Sequence, residues 1–251
     1  MQHIPTGSGV PSARQLELME DLQPTILGGT PSFFLHISEV AKEKGIDVGK
    51  LGVQVLLEGA EACSQQTRDK LRSTWNADVF DIGGTCEVLH IYHECSEHIG
   101  LHMAEDTIIF EILDPETDED VAPGERGELV VTTLMKEAMP LLRWRTRDIT
   151  AIVKEEPCRC GRTSRQVDHL CGRVDDMVKV KGVAVFPSQI EEILKSIPEL
   201  KDSEFQIVVS TTKMYTDILT IRTEIPEAFS ALSGAFSKKV EEEVKNKLVI
   251  T

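Results

Sequence analysis

Leu16, Leu18, Met19 and Leu22 fall on one stripe at helical spacing and predict a helix over 12–22, ended by Pro24. A short apolar stretch at 25–27 before Gly28-Gly29 predicts a strand, and 31–44 a second helix stopped by Gly45. Residues 53–57 are nearly all apolar, the pattern of a parallel strand buried on both faces. Ser64 is placed to cap a helix running to about Trp75, and 79–82 predicts the next strand. This rhythm of strand, helix, strand predicts a βαβ layer. The period then changes. Residues 107–113 and 128–133 read as strands of a β-ribbon or small barrel, joined by a turn-rich acidic stretch whose run Asp118-Glu119-Asp120 predicts a solvated hairpin end. Short strands at 148–153 and 164–170 flank a cysteine loop. From about Gly172 a second unit begins: a strand at 177–180, a helix through Ser196 with Ser188 and Glu191 as capping box, strands at 205–210 and 218–223, and an amphipathic helix at 227–247. The expected fold class is α/β, with a domain over 1–171 (βαβ layer plus β-rich part) and a small α+β domain over 172–251. No internal repeat is visible.

Charge narrows the functional classes. Among 251 residues, 42 acidic side chains against 27 basic ones leave a net charge of -15, with no basic stripe to displace counterions from a nucleic acid. The apolar runs are far shorter than the roughly 20 residues of a membrane helix, and the N-terminus lacks the pattern of a secretory leader. A soluble, cytoplasmic protein with no nucleic-acid or membrane partner is expected.

The 6 cysteines are too few for a disulfide scaffold, so position matters more than number. Cys63, Cys86 and Cys171 stand alone. Cys158 and Cys160 form Cys-Arg-Cys followed by Gly161, and Cys95 lies among His90, His93, His98 and His102. Two thiols on one tight loop, a distant thiol and an imidazole make a tetrahedral ligand set. The same residues read equally well as reduced thiols and surface histidines with no metal.

Several stretches then fall in a telling order. Gly59-Ala60-Glu61 follows one strand and Asp81-Ile82-Gly83-Gly84-Thr85-Cys86-Glu87 another; Trp144-Arg145-Thr146-Arg147-Asp148 comes after Pro140; Gly172-Arg173-Val174-Asp175-Asp176 opens the second unit and runs through Lys179 to Gly182 and Phe186-Pro187-Ser188. Any one piece is weak, since Asp148 after two arginines also reads as a surface ion pair and the glycines as ordinary turns. The ordered set resembles the adenylate-forming acyl-CoA ligases, most closely the phenylacetate-CoA ligase group, over essentially the whole chain. That resemblance implies an adenylate-forming ligase fold and an AMP-forming acid–thiol ligase that takes an aryl or related carboxylic acid, ATP, magnesium and coenzyme A. It implies that Gly59, Ala60 and Glu61 wall the adenine and that Asp81, Gly84 and Thr85 line the nucleotide site. It further implies that Glu87 binds magnesium, that Asp148 accepts the ribose hydroxyls and that Arg145 and Arg173 contact phosphate or ribose. Asp175 matches the hinge, and Lys179 and Gly182 lie where the small domain faces thiol transfer. Members of the group that pair a cysteine and a Gly-Leu-His with a later Pro-Cys-x-Cys-Gly-Arg point to Cys95, His102, Cys158 and Cys160 as a structural zinc site, His98 being the reserve ligand. A homodimer is left open.

The sequence also departs from the group. Its Ser/Thr/Gly-rich phosphate loop and its catalytic lysine find no counterpart; Thr6-Gly7-Ser8-Gly9 reads as a turn. The usual aromatic is missing at Gly83, and Cys86 replaces a hydroxyl residue. Residues 1–251 alone are therefore expected to bind adenine nucleotide weakly and to turn over no acid. The alternatives are a deazaflavin-adenylylating coenzyme adenylyltransferase of the same family and a non-catalytic, zinc-stabilised nucleotide- or partner-binding fragment.

Overall fold

The computed structural model describes residues 3–7, 9–61, 63–180, 183–200, 203–211, 217–225 and 233–248. In chain order its first elements are α1 (Ser12–Leu22), β1 (Ile26–Gly29), α2 (Pro31–Glu43), β2 (Val55–Glu58), α3 (Gln65–Trp75), β3 (Asp78–Thr85), β4 (Leu89–Glu94) and β5 (Leu101–Met103). There follow β6 (Ile108–Leu113), β7 (Gly127–Thr133), β8 (Trp144–Thr150), β9 (Ile152–Lys154), β10 (Gln166–Val167), β11 (Gly172–Arg173) and β12 (Val178–Val180). The last are β13 (Val183–Val185), α4 (Pro187–Lys195), β14 (Phe205–Thr211), β15 (Asp217–Thr223) and α5 (Ser233–Leu248). The chain divides into two compact units, 1–110 with 132–142 and 153–167, and 111–131 with 143–152 and 168–251.

Local chemistry sets the helices of the first unit. Thr30 caps α2 by accepting the Phe33 N–H, with Pro31 pre-set at the first helical position, and Ser64 caps α3 by accepting from Thr67. Asn76 ends α3 in the left-handed region, φ 49°, where its short amide side chain is tolerated. The three helices bury Leu16, Phe34, Ile37, Leu71 and Trp75 with Leu56 and Val79 of the sheet, all at 0% exposure. Phe34 meets Trp75 edge-on at 6.1 Å between ring centres.

The sheet of this unit runs β1-β2-β3-β4-β5-β10-β9. Its first three strands are parallel, as the buried apolar runs predict, with Leu27 beside Leu56 and Leu56 beside Val79. β3 is the pivot: its first half pairs with β2 in parallel and its second half, from Ile82 opposite His93, pairs with β4 antiparallel. Neither β4 nor β5 is predicted by hydrophobic alternation, because buried Glu94 and His102 occupy positions where that pattern wants apolar residues.

A four-stranded sheet orders β11-β8-β7-β6, with the acidic 114–126 stretch as the connection between β6 and β7. The C-terminal elements include two hairpins, β12-β13 and β14-β15. Ile190, Ile193 and Leu194 of α4 pack with Ile197, Leu200, Val240 and Val244. The start of α4 differs from expectation. Phe186 is its N-cap, and its N–H donates to Gln189 Oε1, while the Ser188 hydroxyl turns away to the Cys171 carbonyl. Pro187 explains the shift, since a proline at the first helical position moves the boundary two residues earlier than a Ser188 cap requires. The early part of the helix expected over 227–247, residues 227–232, lies outside the described residues. No described helix is long and apolar enough to cross a membrane.

Candidate functional site

Two of the sequence motifs sit side by side at the C-terminal ends of the parallel strands, where open α/β sheets carry their ligands. Glu58, the last residue of β2, pairs with Asp81 of β3, so Gly59-Ala60-Glu61 leaves the sheet beside Asp81-Ile82-Gly83. A side chain at Gly59 would collide with the Ile82 carbonyl oxygen. Glycine is therefore demanded by the close approach of β3 itself. Ala60 is held at φ 66°, and Glu61 turns back to the start of α2, its carboxylate accepting from the Ser32 N–H at 3.1 Å and the Ser32 hydroxyl at 2.7 Å. A carboxylate at the positive end of α2 complements the helix dipole.

The second motif is a hairpin. Thr85 ends β3, its hydroxyl accepts from the Val88 N–H at 3.1 Å, and Leu89 starts β4 at φ 71°. Glu87 stands on this tight turn, half-buried, and the Lys136 ammonium bonds to its carbonyl oxygen. Gly84 has no room for a side chain against the Leu89 carbonyl. Gly83 faces Tyr92 across the β3–β4 ladder, and the Tyr92 ring fills the space that a side chain at Gly83 would need. The aromatic missing from position 83 thus has a neighbour of the same chemistry on the adjacent strand. A cleft of about 880 Å³ beside the hairpin is lined by His90, His93, Asp106, Lys136 and Arg162 among others. Burial, helped by Arg162, pushes His93 down to about 4, which keeps it neutral near pH 7.

The second unit gathers the remaining motif residues. Asp148 of β8 lies directly opposite Arg173 of β11, with 3.3 Å between Oδ1 and Nη1. The Arg173 guanidinium also forks onto Asp175 at 3.1 Å twice, so one cation joins the expected ribose acceptor to the expected hinge. Burial raises the Asp148 carboxyl above its ordinary value, and Arg173 and Thr146 oppose that shift. Arg145 is engaged differently from a free phosphate ligand: it pairs with fully buried Glu128 at 2.5 Å and with Asp118 at 2.6 Å. Lys179 lies on β12 opposite Ala184, and Gly182 falls outside the described residues.

The cysteine cluster assembles in the first unit. The Sγ atoms of Cys95, Cys158 and Cys160 and a ring nitrogen of His102 all lie within 4.8 Å of one another. Cys95 and Cys158 Sγ are 3.9 Å apart, and Cys160 Sγ is 3.4 Å from His102 Nε2. A tetrahedral zinc with Zn–S bonds of about 2.3 Å would set its sulfurs about 3.8 Å apart. The other ring nitrogen of His102 faces the Ser164 carbonyl at 3.3 Å and hydroxyl at 3.1 Å, the outer contact that orients a ligating imidazole. Gly161, at φ 92°, turns the loop, and the Arg162 N–H and side chain hold the Cys160 thiol down at about 7, whereas burial pushes Cys95 up to about 11. His98 is not in the cluster. It sits between Glu94 at 2.9 Å and Asp78 at 3.3 Å and stacks on Phe80.

Sequence reasoning missed the charged residues beneath the motifs. Arg68, only 4% exposed, lies between Glu58 and Glu94, both at 1% side-chain exposure. A charge at the end of the apolar run Val55-Leu56-Leu57-Glu58 was the available signal, since a glutamate in a parallel strand flanked by buried neighbours needs a partner. Lys136 and Tyr92 carried no comparable signal.

Comparison with known proteins agrees with these motifs. The profile of the AMP-binding enzyme family matches residues 2–135, and that of the AMP-binding enzyme C-terminal domain matches residues 182–251. The phenylacetate-coenzyme A ligase of Thermus thermophilus is 34% identical over 232 residues, 91% of this chain and 51% of the relative. That of Escherichia coli is 35% identical over 230 residues, 90% of this chain and 51% of the relative. Among solved structures, 2-hydroxyisobutyryl-CoA ligase in the postadenylation state, in complex with R3-HIB-AMP, superposes with a TM-score of 0.83 at 27% identity, covering 98% of this chain and 54% of that one. The anthranilate CoA ligase AuaEII, at 18% identity and a TM-score of 0.64 over 94% of this chain and 46% of that one, shares the fold. The chain spans about half the length of the curated relatives it matches. With its motif segments at the strand ends, its small C-terminal domain and these two profile matches, the chain belongs to the AMP-binding enzyme family.

Proposed function

We propose that this chain is the nucleotide-handling part of an AMP-forming ligase that activates a carboxylic acid, of the aryl kind that phenylacetate represents, and transfers it to coenzyme A. The observation that carries the reading is the adjacency of Gly59–Glu61 and Asp81–Glu87 at the ends of paired parallel strands, in a chain about 35% identical to phenylacetate-coenzyme A ligases. In the reaction a carboxylate oxygen attacks the α-phosphorus of ATP and the bond to pyrophosphate breaks. The thiol sulfur of coenzyme A then attacks the acyl carbon of the adenylate, the acyl–oxygen bond breaks, and AMP leaves with that oxygen.

The residues take roles that their chemistry suits. Gly59, Ala60 and Glu61 receive the adenine. Asp148 accepts the ribose hydroxyls, with Arg173 holding its carboxylate in place. Glu87 is a hard oxygen ligand on a tight turn and would hold magnesium together with the phosphates, the usual arrangement for an ion that keeps most of its waters. Magnesium, when bound, neutralises charge on phosphate oxygens. Cys95, His102, Cys158 and Cys160 would hold a zinc ion in a closed, structural site, since four protein ligands leave no position for a substrate. The unit that follows about residue 172 carries Lys179 towards thiol transfer, with Asp175 as its hinge.

ATP–pyrophosphate exchange by the full-length gene product across a panel of aryl and alkyl acids, followed by thioester formation with coenzyme A, tests the reading. Aryl-acid-dependent exchange is the expected result. Exchange that no acid stimulates, or an adenylyl product in place of a thioester, overturns it.

A further inference from the structure

Arg68 lies in the middle of α3, on the face that also buries Leu71 and Trp75. That stripe is where an amphipathic helix places apolar groups, and removing a guanidinium from water there is costly unless well-placed anions meet it. Its partners are not scattered. Nη2 donates to Glu58 Oε1 at 3.0 Å, and Glu58 is the residue before Gly59. Nη1 donates to Glu94 Oε2 at 2.5 Å and reaches the Val79 carbonyl of β3 at 3.4 Å. The same Glu94 oxygen accepts the Asp81 N–H at 2.9 Å, while Glu94 Oε1 meets His98 Nδ1 at 2.9 Å. Ile82, opposite His93, is the end of β3's register with β4. One residue earlier in β3, the Asp81 N–H donates to the Glu94 carboxylate, and that carboxylate is held by Arg68.

We propose that Arg68 is a positioning residue for the nucleotide site: through Glu58 it fixes the exit of Gly59–Glu61, and through Glu94 it fixes the Asp81 amide from which the second motif departs. The inference rests on the nucleotide reading given above. Its physical basis is that the guanidinium is planar and presents its donors in a rigid fork, so that one group sets the separation of two carboxylates. A lysine keeps the charge but not the fork. The β2–β3 ladder ends at Glu58–Asp81, and both motif segments leave the sheet from that pair.

The test compares Arg68→Lys with Leu71→Ala, a cavity variant one turn further along the same buried face, and measures AMP affinity by calorimetry and amide hydrogen exchange segment by segment. Loss of a charge-assisted, two-partner contact under a site is expected to weaken AMP binding by about tenfold in Arg68→Lys. Exchange should quicken at 59–61 and 81–87, while Leu71→Ala, though less stable, keeps AMP affinity within about twofold. An Arg68→Lys protein that binds AMP as wild type does, or a Leu71→Ala protein that loses as much affinity, overturns the proposal. If Arg68→Lys does not fold, Glu58→Gln, which keeps shape and removes one charge, must still weaken AMP binding severalfold; unchanged affinity is equally fatal. If the wild-type protein binds no AMP, the nucleotide reading fails, and exchange at 59–61 and 81–87 alone then decides whether Arg68 fixes these segments.

Discussion

Removing Cys158, one of the four proposed zinc ligands, is the sharpest perturbation the structure offers. Cys158 sits 63 positions beyond Cys95, and their sulfurs are 3.9 Å apart. A metal that binds both closes a loop of that length. Treated as a cross-link, closing it costs the unfolded chain entropy worth about 4 kcal/mol at 25 °C. Protein contacts also cross the join, including Met103 N–H to the Arg165 carbonyl at 3.0 Å, the Arg165–Glu105 ion pair at 2.7 Å and the β5–β10 pairing, so the variant is expected to fold with reduced stability. At about 2–4 °C per kcal/mol for a chain of this size, Cys158→Ser is expected to lower the melting temperature by about 10 °C. A strong chelator should do the same to the wild type, and neither should add to the other. Metal analysis of protein purified without added zinc should find about one equivalent, retained in Cys63→Ser and lost in Cys158→Ser. Binding must displace a proton from Cys95, whose thiol lies up at about 11, so loading should weaken as pH falls. Well under half an equivalent in the wild type, or a Cys158→Ser protein that melts with it, would refute the cross-link argument.

Other expectations follow from single positions. Gly59→Ala places a methyl against the Ile82 carbonyl, a backbone group that cannot rotate away, and should destabilise by about 2–3 kcal/mol in denaturant titration. Arg147 is held at φ 70°, so Arg147→Gly should be more stable than Arg147→Ala by about 1 kcal/mol in the same assay, both having lost the same side chain; equal midpoints would count against strain there. His93 titrates near 6.5 when unfolded and at about 4 when folded, so the unfolded state takes up its proton first. Stability should therefore fall as pH drops from about 6.5 to about 4, by about 1 kcal/mol once solvent screening of this half-buried ring is discounted, and His93→Phe should flatten that slope.

The parts legible in the sequence are those whose causes are local. Ser64 before an amphipathic run and Gly45 after another mark α3 and α2, because helix starts and stops are made by residues a few positions apart. The nearly continuous apolar run ending at Leu57 marks a parallel strand, and Cys158-Arg159-Cys160-Gly161 marks a tight loop carrying two thiols, because a glycine must turn it. The order of the motifs along the chain carried the family. What only the tertiary structure decided are choices between distant partners. His102, on β5 opposite His93, reaches the thiols while His98 is drawn to Glu94 and Asp78, although His98 is the nearer of the two to Cys95 in sequence. Arg145 looked available for phosphate until the β7–β8 register brought Glu128 under it. Gly59 is required by the approach of β3, and Arg68, a polar residue inside an apolar stripe, makes sense once Glu58 and Glu94 come together around it. Local patterns record what each residue prefers alone; strand register and burial decide which preferences meet, because a buried charge or thiol is stable only where the folded chain supplies its partner.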